Sequence, residues 1–376
     1  MAVYDVIILG LGAMGSAAAH HLARRGLRVL GLEQFTPAHD RGASHGRSRI
    51  IREAYFEDPA YVPLIQRAYA LWGDLQAQTG TPLLVTTGGL MIGPRKGALV
   101  SGALTSAARH GLVYELLGPD DLRHRYPLFR PPEDAVAVWE PRAGILFPEA
   151  CVRAHLGAAA RHGADLHFEE RVGRWDTFGR GVTIRTNRGR YEAPRLVVTA
   201  GPWAGQILAD LGLPLEVERN VMYWFHPLRN ADAFGPERFP VYILEYTPGA
   251  FVYGFPALGD EGIKIAHHHS GERCTPASIR REVSAEEIAR MRGLLSRYLP
   301  DGDGVLRQAV TCMYTNTPDG HFIIGRHPKL PAVTLACGFS GHGFKFAPVV
   351  GEILADLATE GGTRHNIDLF RLGRFE

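Results

Sequence analysis

Val6-Ile7-Ile8-Leu9 is an unbroken apolar run that stops at Gly10. Such a run predicts a strand buried on both faces of a parallel sheet. Helical spacing follows over residues 16–25, which are alanine-rich and carry Leu22, and Gly26 ends the helix. Residues 28–32 predict a second strand. Residues 61–78 have a helical period, residues 83–92 read as strand, turn, strand, and residues 103–110 as a helix. The text near Arg130-Pro131-Pro132 is irregular. A helix is expected over 151–162, then strands over 165–168 and 182–186. Residues 195–200 predict another buried strand, which runs into the turn Gly201-Pro202-Trp203 before a helix.

The pattern changes at residue 215. From there to about 310, β-favouring and aromatic residues dominate, as in Val221-Met222-Tyr223-Trp224-Phe225 and Phe251-Val252-Tyr253-Gly254-Phe255. They predict an antiparallel sheet, interrupted by a helix over 285–299. A last buried strand, 333–338, delivers residues 340–345 towards the first βα unit, and residues 348–357 close the chain as a helix. The order predicts an α/β protein of two domains, α+β in overall arrangement. One is a Rossmann-type dinucleotide-binding domain and the other an antiparallel β-sheet substrate domain. Both are expected to be discontinuous: the first takes 1–85, 149–214 and 311–376, the second 86–148 and 215–310.

The first turn carries chemistry. Gly10, Gly12 and Gly15 match G-x-G-x-x-G. The first permits the tight turn, the second lets the backbone approach a pyrophosphate, and the third lets helix and strand pack closely. The helix N-terminus offers free N–H groups and its positive dipole end to that anion. Glu33 ends the second strand, where a carboxylate accepts ribose hydroxyls. An acid there repels a 2′-phosphate, which argues against NADP and leaves NAD and FAD open. A simple NAD dehydrogenase usually completes its nucleotide domain in one contiguous half. The repeated returns here suit the longer FAD. So do the isolated cysteine of Cys312-Met313-Tyr314-Thr315 and the glycine-rich Gly338-Phe339-Ser340-Gly341-His342-Gly343-Phe344-Lys345.

Composition narrows the rest. A net charge of +2 gives no field for nucleic acid or a membrane surface. No apolar run reaches the roughly 18 residues of a membrane span, and the first strand begins almost at Met1, so no signal peptide is expected. Cys151, Cys274, Cys312 and Cys337 show neither C-x-x-C nor metal spacing. A cytoplasmic protein with reduced thiols and no metal is expected. His267-His268-His269 does not alter that expectation, since neighbours on a strand point to opposite faces. Of 41 basic residues only Lys96, Lys264, Lys329 and Lys345 are lysine. Lys264 lies in the alternating Gly262-Ile263-Lys264-Ile265-Ala266 and Lys345 between two phenylalanines. Both have apolar neighbours, where a lysine can shift its pKa as an arginine cannot. Lys96 and Lys329 sit in loop-like text and read as solvated.

Several motifs stand together in one order: Gly10 to Gly15, Ser48-Arg49-Ile50-Ile51-Arg52, Tyr253-Gly254-Phe255-Pro256, Lys264, Cys312 to Thr315, His321-Phe322-Ile323-Ile324 and Gly338 to Lys345. In them the chain resembles, over nearly its whole length, the monomeric sarcosine oxidase family of amine-oxidising flavoenzymes, which includes N-methyltryptophan oxidase. The resemblance implies FAD attached covalently through a thioether from Cys312 to the flavin 8α-methyl. It implies a clamp on the substrate carboxylate from Arg52 and Lys345. It also implies Lys264 over the flavin, promoting reaction with oxygen, Arg49 close to the isoalloxazine, and Tyr253 and His268 in the pocket. The cofactor-binding set is then Gly10, Gly12, Met14, Gly15, Glu33, Ser44, His45, Ser48, Arg49, Val172, Gly201, Trp203, Cys312, Met313, Gly341, Gly343, Phe344 and Lys345. Two departures stand out. Ser48 replaces a frequent threonine, and residues 245–250 form a slightly longer loop leading into the pocket.

The implied reaction is oxidative demethylation of an N-methyl amino acid, in which sarcosine, O2 and water give glycine, formaldehyde and hydrogen peroxide. The implied partners are a small secondary amine and O2, for a monomer without nucleic acid or membrane. N-methyltryptophan and pipecolate represent bulkier or cyclic alternative substrates. An amine dehydrogenase that passes electrons to a partner protein and a non-catalytic dinucleotide sensor are the alternatives of other classes. Plain structural roles stand beside the functional ones: Cys312 as a buried thiol, Lys264 as an ion-pair partner, Arg49 and Arg52 as pyrophosphate ligands.

Overall fold

The computed structural model describes residues 4–179, 181–269 and 271–375. Among them, a six-stranded sheet takes its strands from separated stretches of chain. Its order is Ile323–Arg326, Val333–Cys337, Leu196–Val198, Val6–Leu9, Val29–Leu32 and Asp165–His167. Only Ile323–Arg326 runs antiparallel to its neighbour. Alternation along the first strand explains why both faces are buried. Val6 and Ile8 pack with Leu22, Val349 and Ile353 beneath the helices Ala13–Arg24 and Ala347–Thr359. Ile7 and Leu9 pack with Val182 and Ile184 of a three-stranded antiparallel sheet on the other face. The two helices approach closely because Gly351 faces Ala17, where a Cβ would lie 2.6 Å from the Ala17 carbonyl carbon.

The second half is a nine-stranded sheet. Glu216–Phe225, Ile263–His268, Ala250–Phe255 and Val241–Thr247 are antiparallel neighbours. The eleven-residue strand Leu306–Asn316 pairs along the whole of Glu216–Phe225 and carries Cys312 and Tyr314 on one face. The helix Ala285–Tyr298 covers the other face, its Met291 and Leu295 against Val221, Tyr223 and Phe225. Ser284 and Glu287 close a capping box at its start, a cap typically worth about 1 kcal/mol.

Several expectations need correction. The first helix begins at Ala13, three residues early, because Gly15 takes helical geometry under the glycine turn. The strands within 83–92 do not pair with each other. Leu84–Thr86 joins Gly144–Leu146 and Arg49–Ile51 in a small sheet, while Gly89–Pro94 crosses into the large one. It enters parallel to Val241–Thr247, so the large sheet is not purely antiparallel. The helix expected over 103–110 starts at Ala98 behind an N-cap glycine, Gly97, that lacks a polar capping side chain. Around the proline-rich text, a helix Pro119–Arg125 and strands Glu115–Leu117 and Ala135–Glu140 were not foreseen. None of the described helices is long and apolar enough to cross a membrane, and all four cysteines are free.

Candidate active site

A cavity of about 570 Å³ opens between the two sheets. Its floor is the glycine turn. Gly10 has φ +91° and lies against Thr199, where a Cβ would sit 2.6 Å from the carbonyl oxygen. A Cβ on Gly15 would lie 1.8 Å from the Gly10 oxygen, so the turn and the helix close on each other only with glycine there. Glu33 lines the cavity and is buried; its carboxylate accepts from the Leu11 N–H at 2.9 Å and the Phe35 N–H at 3.1 Å. Ser44 Oγ accepts from the Ala13 N–H at 3.1 Å in the helix's first turn. Gly12, Met14, Val172, Gly201, Trp203, Met313, Gly341, Gly343 and Phe344 also line the cavity. A backbone cradle, a helix N-terminus and an acid at a strand end are the donor and acceptor set that a dinucleotide needs. These residues fit FAD.

Beyond the cradle the site turns from backbone to side chains. Arg49 lines the cavity, donates to the Ser48 and Ala43 carbonyls at 2.9 Å each, and lies 3.8 Å from Cys312 Sγ. Cys312 is buried. Lys264 is buried as well, over the rings of Phe255 at 4.8 Å and Trp224 at 5.3 Å. Its Nζ donates to Gly46 O, Ser48 O and Ser48 Oγ at 2.7, 2.8 and 3.2 Å. Burial, and next the Arg49 charge, hold its pKa well below the usual lysine range. Lys264 thus supports the 46–48 loop, which turns at Gly46 and Arg47 with positive φ. His45 is buried under the same loop, and burial with the Arg49 charge pushes it down to about 3. Lys96 and Lys329 are exposed.

The third group holds the opposed charges. Arg52 is buried, and its Nη2 donates to both Glu57 oxygens at 2.8 and 2.6 Å. Its guanidinium stands 4.3 Å from the Tyr55 ring centre and 4.7 Å from that of Phe56. Burial pushes the Glu57 carboxyl up, but Arg52, with His342 and Lys345, outweighs it and holds the group at about 2. Lys345 Nζ donates to the His342 carbonyl at 2.7 Å and to Tyr55 Oη at 3.4 Å. Burial, then Arg52, pull it down to about 7. Tyr253 and His268 stand together, rings 6.4 Å apart, and Tyr314 lies 5.7 Å from His268. Burial and then His269 keep the His268 pKa well below its usual value. His268 and His269 do not diverge as strand alternation predicts. The strand ends at His268, His269 has φ +64°, and the two rings are 4.3 Å apart. Among the described residues no group of three or more His, Cys, Asp or Glu is placed to hold a metal.

The residues expected to hold the cofactor and the substrate therefore form neighbouring groups. Gly15, His45, Ser48, Cys312, Lys264, Arg52, Lys345, Tyr253 and His268 do not line the cavity itself. Tyr314 lines it and touches His268, which joins the two groups. Sequence reasoning missed Tyr55, Glu57, His342 and Tyr314. Tyr314 was findable, since strand alternation puts it on the face of Cys312. Glu57 follows Arg52 by five positions in loop text, a spacing with no helical or strand meaning.

Residues 5–357 match the family described as FAD dependent oxidoreductase. The chain is 51% identical over 370 residues to monomeric sarcosine oxidase of Streptomyces avermitilis, covering 98% of this chain and 96% of that one. It is 36% identical to N-methyl-L-tryptophan oxidase of Yersinia pestis, with 99% of each covered. Among solved structures, it superposes on NikD, an amino acid oxidase essential for nikkomycin biosynthesis, with a TM-score of 0.85. The identity there is 25%, over 99% of this chain and 98% of that one.

Proposed function

The chain belongs to the FAD dependent oxidoreductase family, among the monomeric sarcosine and N-methyltryptophan oxidases, and from that premise we propose that it demethylates N-methyl amino acids. Sarcosine, O2 and water then give glycine, formaldehyde and hydrogen peroxide. FAD, when bound, supplies the hydride acceptor and hands the electron pair to O2. In this reading the cofactor is joined to Cys312 by a thioether, and the protein works as a monomer, the state in its relatives' name.

One observation carries the substrate class. Two buried cations, Arg52 and Lys345, bracket the Tyr55 ring at 4.3 and 5.2 Å beside the aromatic group of Tyr253 and His268. A small N-methyl amino acid has one strong handle, its carboxylate. A charge-assisted hydrogen bond to it is worth about 1.5–3 kcal/mol. Glu57 holds Arg52 now, as an internal carboxylate of the same chemistry. In this reading the substrate carboxylate displaces Glu57 from Arg52 and also meets Lys345. The Tyr314, Tyr253 and His268 rings exclude water and fix the amine against the cavity.

The test is anaerobic bleaching of the yellow protein by a panel of secondary amines, including N-methyltryptophan, pipecolate and a carboxylate-free amine. Sarcosine should bleach fastest. Arg52→Met and Lys345→Met should each lose about 2–5 kcal/mol of transition-state binding on sarcosine, more than tenfold in kcat/KM. Equal losses on the carboxylate-free amine would assign both residues to the cofactor or the fold. Acid precipitation checks the thioether: a colourless pellet from the wild type excludes it.

A further inference from the structure

Asn220 stands on the strand Glu216–Phe225, only 1% exposed, and neither its Nδ2 nor its Oδ1 has a hydrogen-bond partner. Burying an amide with both ends unpaired costs more than burying an apolar side chain of its size. A purely structural position would not favour asparagine.

The strand fixes where the amide points. Arg219 reaches Glu287 of the helix Ala285–Tyr298, and Val221, Tyr223 and Phe225 pack under that helix. Side chains alternate along a strand, so Asn220 faces the other way with Met222 and Trp224. On that face Met222 and Trp224 pack with Cys312, and Met222 Sδ lies 3.9 Å from Arg49 Nη1. Across the ladder, the residue opposite Asn220 is Cys312. Directly opposed residues of an antiparallel pair share a face, with Cβ atoms about 4.5–5.5 Å apart. The sulfur's own contacts to Ala43 O and Arg49 are long, 3.8 Å each.

We infer that Asn220 is a positioning residue for cofactor attachment: its amide, unpartnered at rest and opposite Cys312 on the same face, turns its Nδ2–H to the Cys312 sulfur as the C–S bond forms and aims that sulfur at the flavin 8α carbon. This rests on the thioether proposed above. Attachment forms one C–S bond and breaks one S–H and one C–H bond. Both protons leave to water. The electron pair left on the isoalloxazine is removed by O2, the oxidant of the proposed reaction, as hydrogen peroxide.

The test uses the flavin-free full-length chain. FAD is added, samples are acid-precipitated over time, and colour in the pellet counts the thioether. In the same flavin-free protein, iodoacetamide labelling of Cys312, read by peptide mass spectrometry, reports the sulfur without any flavin. Asn220→Leu should slow both by about tenfold or more, the loss of one hydrogen bond to the reacting sulfur. Its melting temperature should stay near that of the wild type. Asn220→Gln, which keeps the amide, should recover most of both rates. Asn220→Ser replaces the Leu variant if that one does not fold. Equal rates for wild type and Asn220→Leu, with a yellow wild-type pellet, overturn the role of Asn220 alone. A colourless wild-type pellet overturns the thioether, and this role with it.

Discussion

The nucleotide end and the amine end of the cleft are built from different materials. At the nucleotide end the functional groups are backbone N–H groups, glycines without side chains, and one carboxylate, Glu33, already fixed by two amides. At the amine end they are long charged side chains, each already satisfied: Arg52 by Glu57, Lys345 by the His342 carbonyl, Lys264 by three oxygens of the 46–48 loop. The first end discriminates by shape and has no second arrangement. The second holds its charges against internal partners, so a ligand there must exchange with them. Binding a dinucleotide is then a matter of fit, and in the proposed reading binding the substrate carboxylate is a matter of competition with Glu57 for Arg52.

The largest effect should come from breaking shape at the nucleotide end. Gly15→Val places a side chain where even a Cβ would meet the Gly10 oxygen at 1.8 Å. The backbone has no room to yield, so the variant should carry no flavin, read as the loss of visible absorbance per mole of protein. Gly12→Ala, whose Cβ would meet only Ser44 Oγ at 3.4 Å within the protein, should fold normally, but its methyl faces the cavity where the pyrophosphate approaches, so it should bind FAD more weakly than the wild type. A fully yellow Gly15→Val protein would mean that the cradle is not what holds the cofactor.

Lys264 tests whether the amine end works through charge or through scaffolding. Its position allows both: it ties down the 46–48 loop, and in the proposed reading it is a buried amine beside the flavin, where oxygen would acquire negative charge. Lys264→Met should slow reoxidation by O2 by a factor on the order of 10²–10³, as other deletions of one preorganised donor do. Anaerobic reduction by sarcosine should change much less. Stopped-flow separates the two halves. Equal slowing of both would make Lys264 a support for the loop, and would reopen the dehydrogenase reading.

The same contrast explains what the sequence made legible. The nucleotide end obeys local rules, so strand, glycines and Glu33 appear within one continuous stretch and mean the same thing wherever they occur. The strands and the helix near 215–310 were visible for the same reason, through β-favouring and aromatic runs and the helical stretch 285–299. The amine end is made by loop geometry and by contacts between distant segments. Arg52 meets Glu57 through loop geometry, Lys345 meets Tyr55 across 290 positions, and Asn220 meets Cys312 only through strand register. Rarity flagged Lys264 and Lys345 as buried, but it gave no hint of the partners that restrain them.

A smaller effect, in pH, follows from Lys345. It is held at about 7 by burial and by Arg52. Below that pH it is a cation that attracts a carboxylate; above it the amine is neutral. The affinity of the flavoprotein for acetate, which has no amine to titrate, should therefore fall above pH 7 by at most about tenfold per unit. Lys345→Met should bind weakly with a flat profile. A flat wild-type profile, followed by spectral titration, would leave Arg52 as the sole anion site.

A last effect concerns stability, and it lies beneath the nucleotide end. His20 and His155 face each other from the helices Ala13–Arg24 and Pro148–Arg161, rings 5.6 Å apart, and neither nitrogen of either ring has a hydrogen-bond partner. Arg24 and Arg161 add positive charge around His20, and the His162 ring stacks against it. Glu352, paired with Arg67 and His365, faces His21. Burial first, then these cations, push His20 down to about 4, while burial and His20 push His21 to about 3. Burial likewise holds His155 well below its usual range. The sign is fixed by the depressed values. The unfolded chain takes up protons near pH 6.5 and the folded protein does not, so the stabilisation is complete above 6.5 and declines from there towards 4. Each histidine contributes up to about 1.4 kcal/mol per pH unit in that window. Urea unfolding at pH 7 and pH 5 measures the decline. His20→Gln, which keeps a polar side chain that does not titrate, should shrink the difference between the two pH values. The amine end has its own depressed histidines in His268 and His342, so the control is His342→Gln. If that variant shrinks the difference more than His20→Gln does, the acid-sensitive half is the amine end and not the nucleotide end.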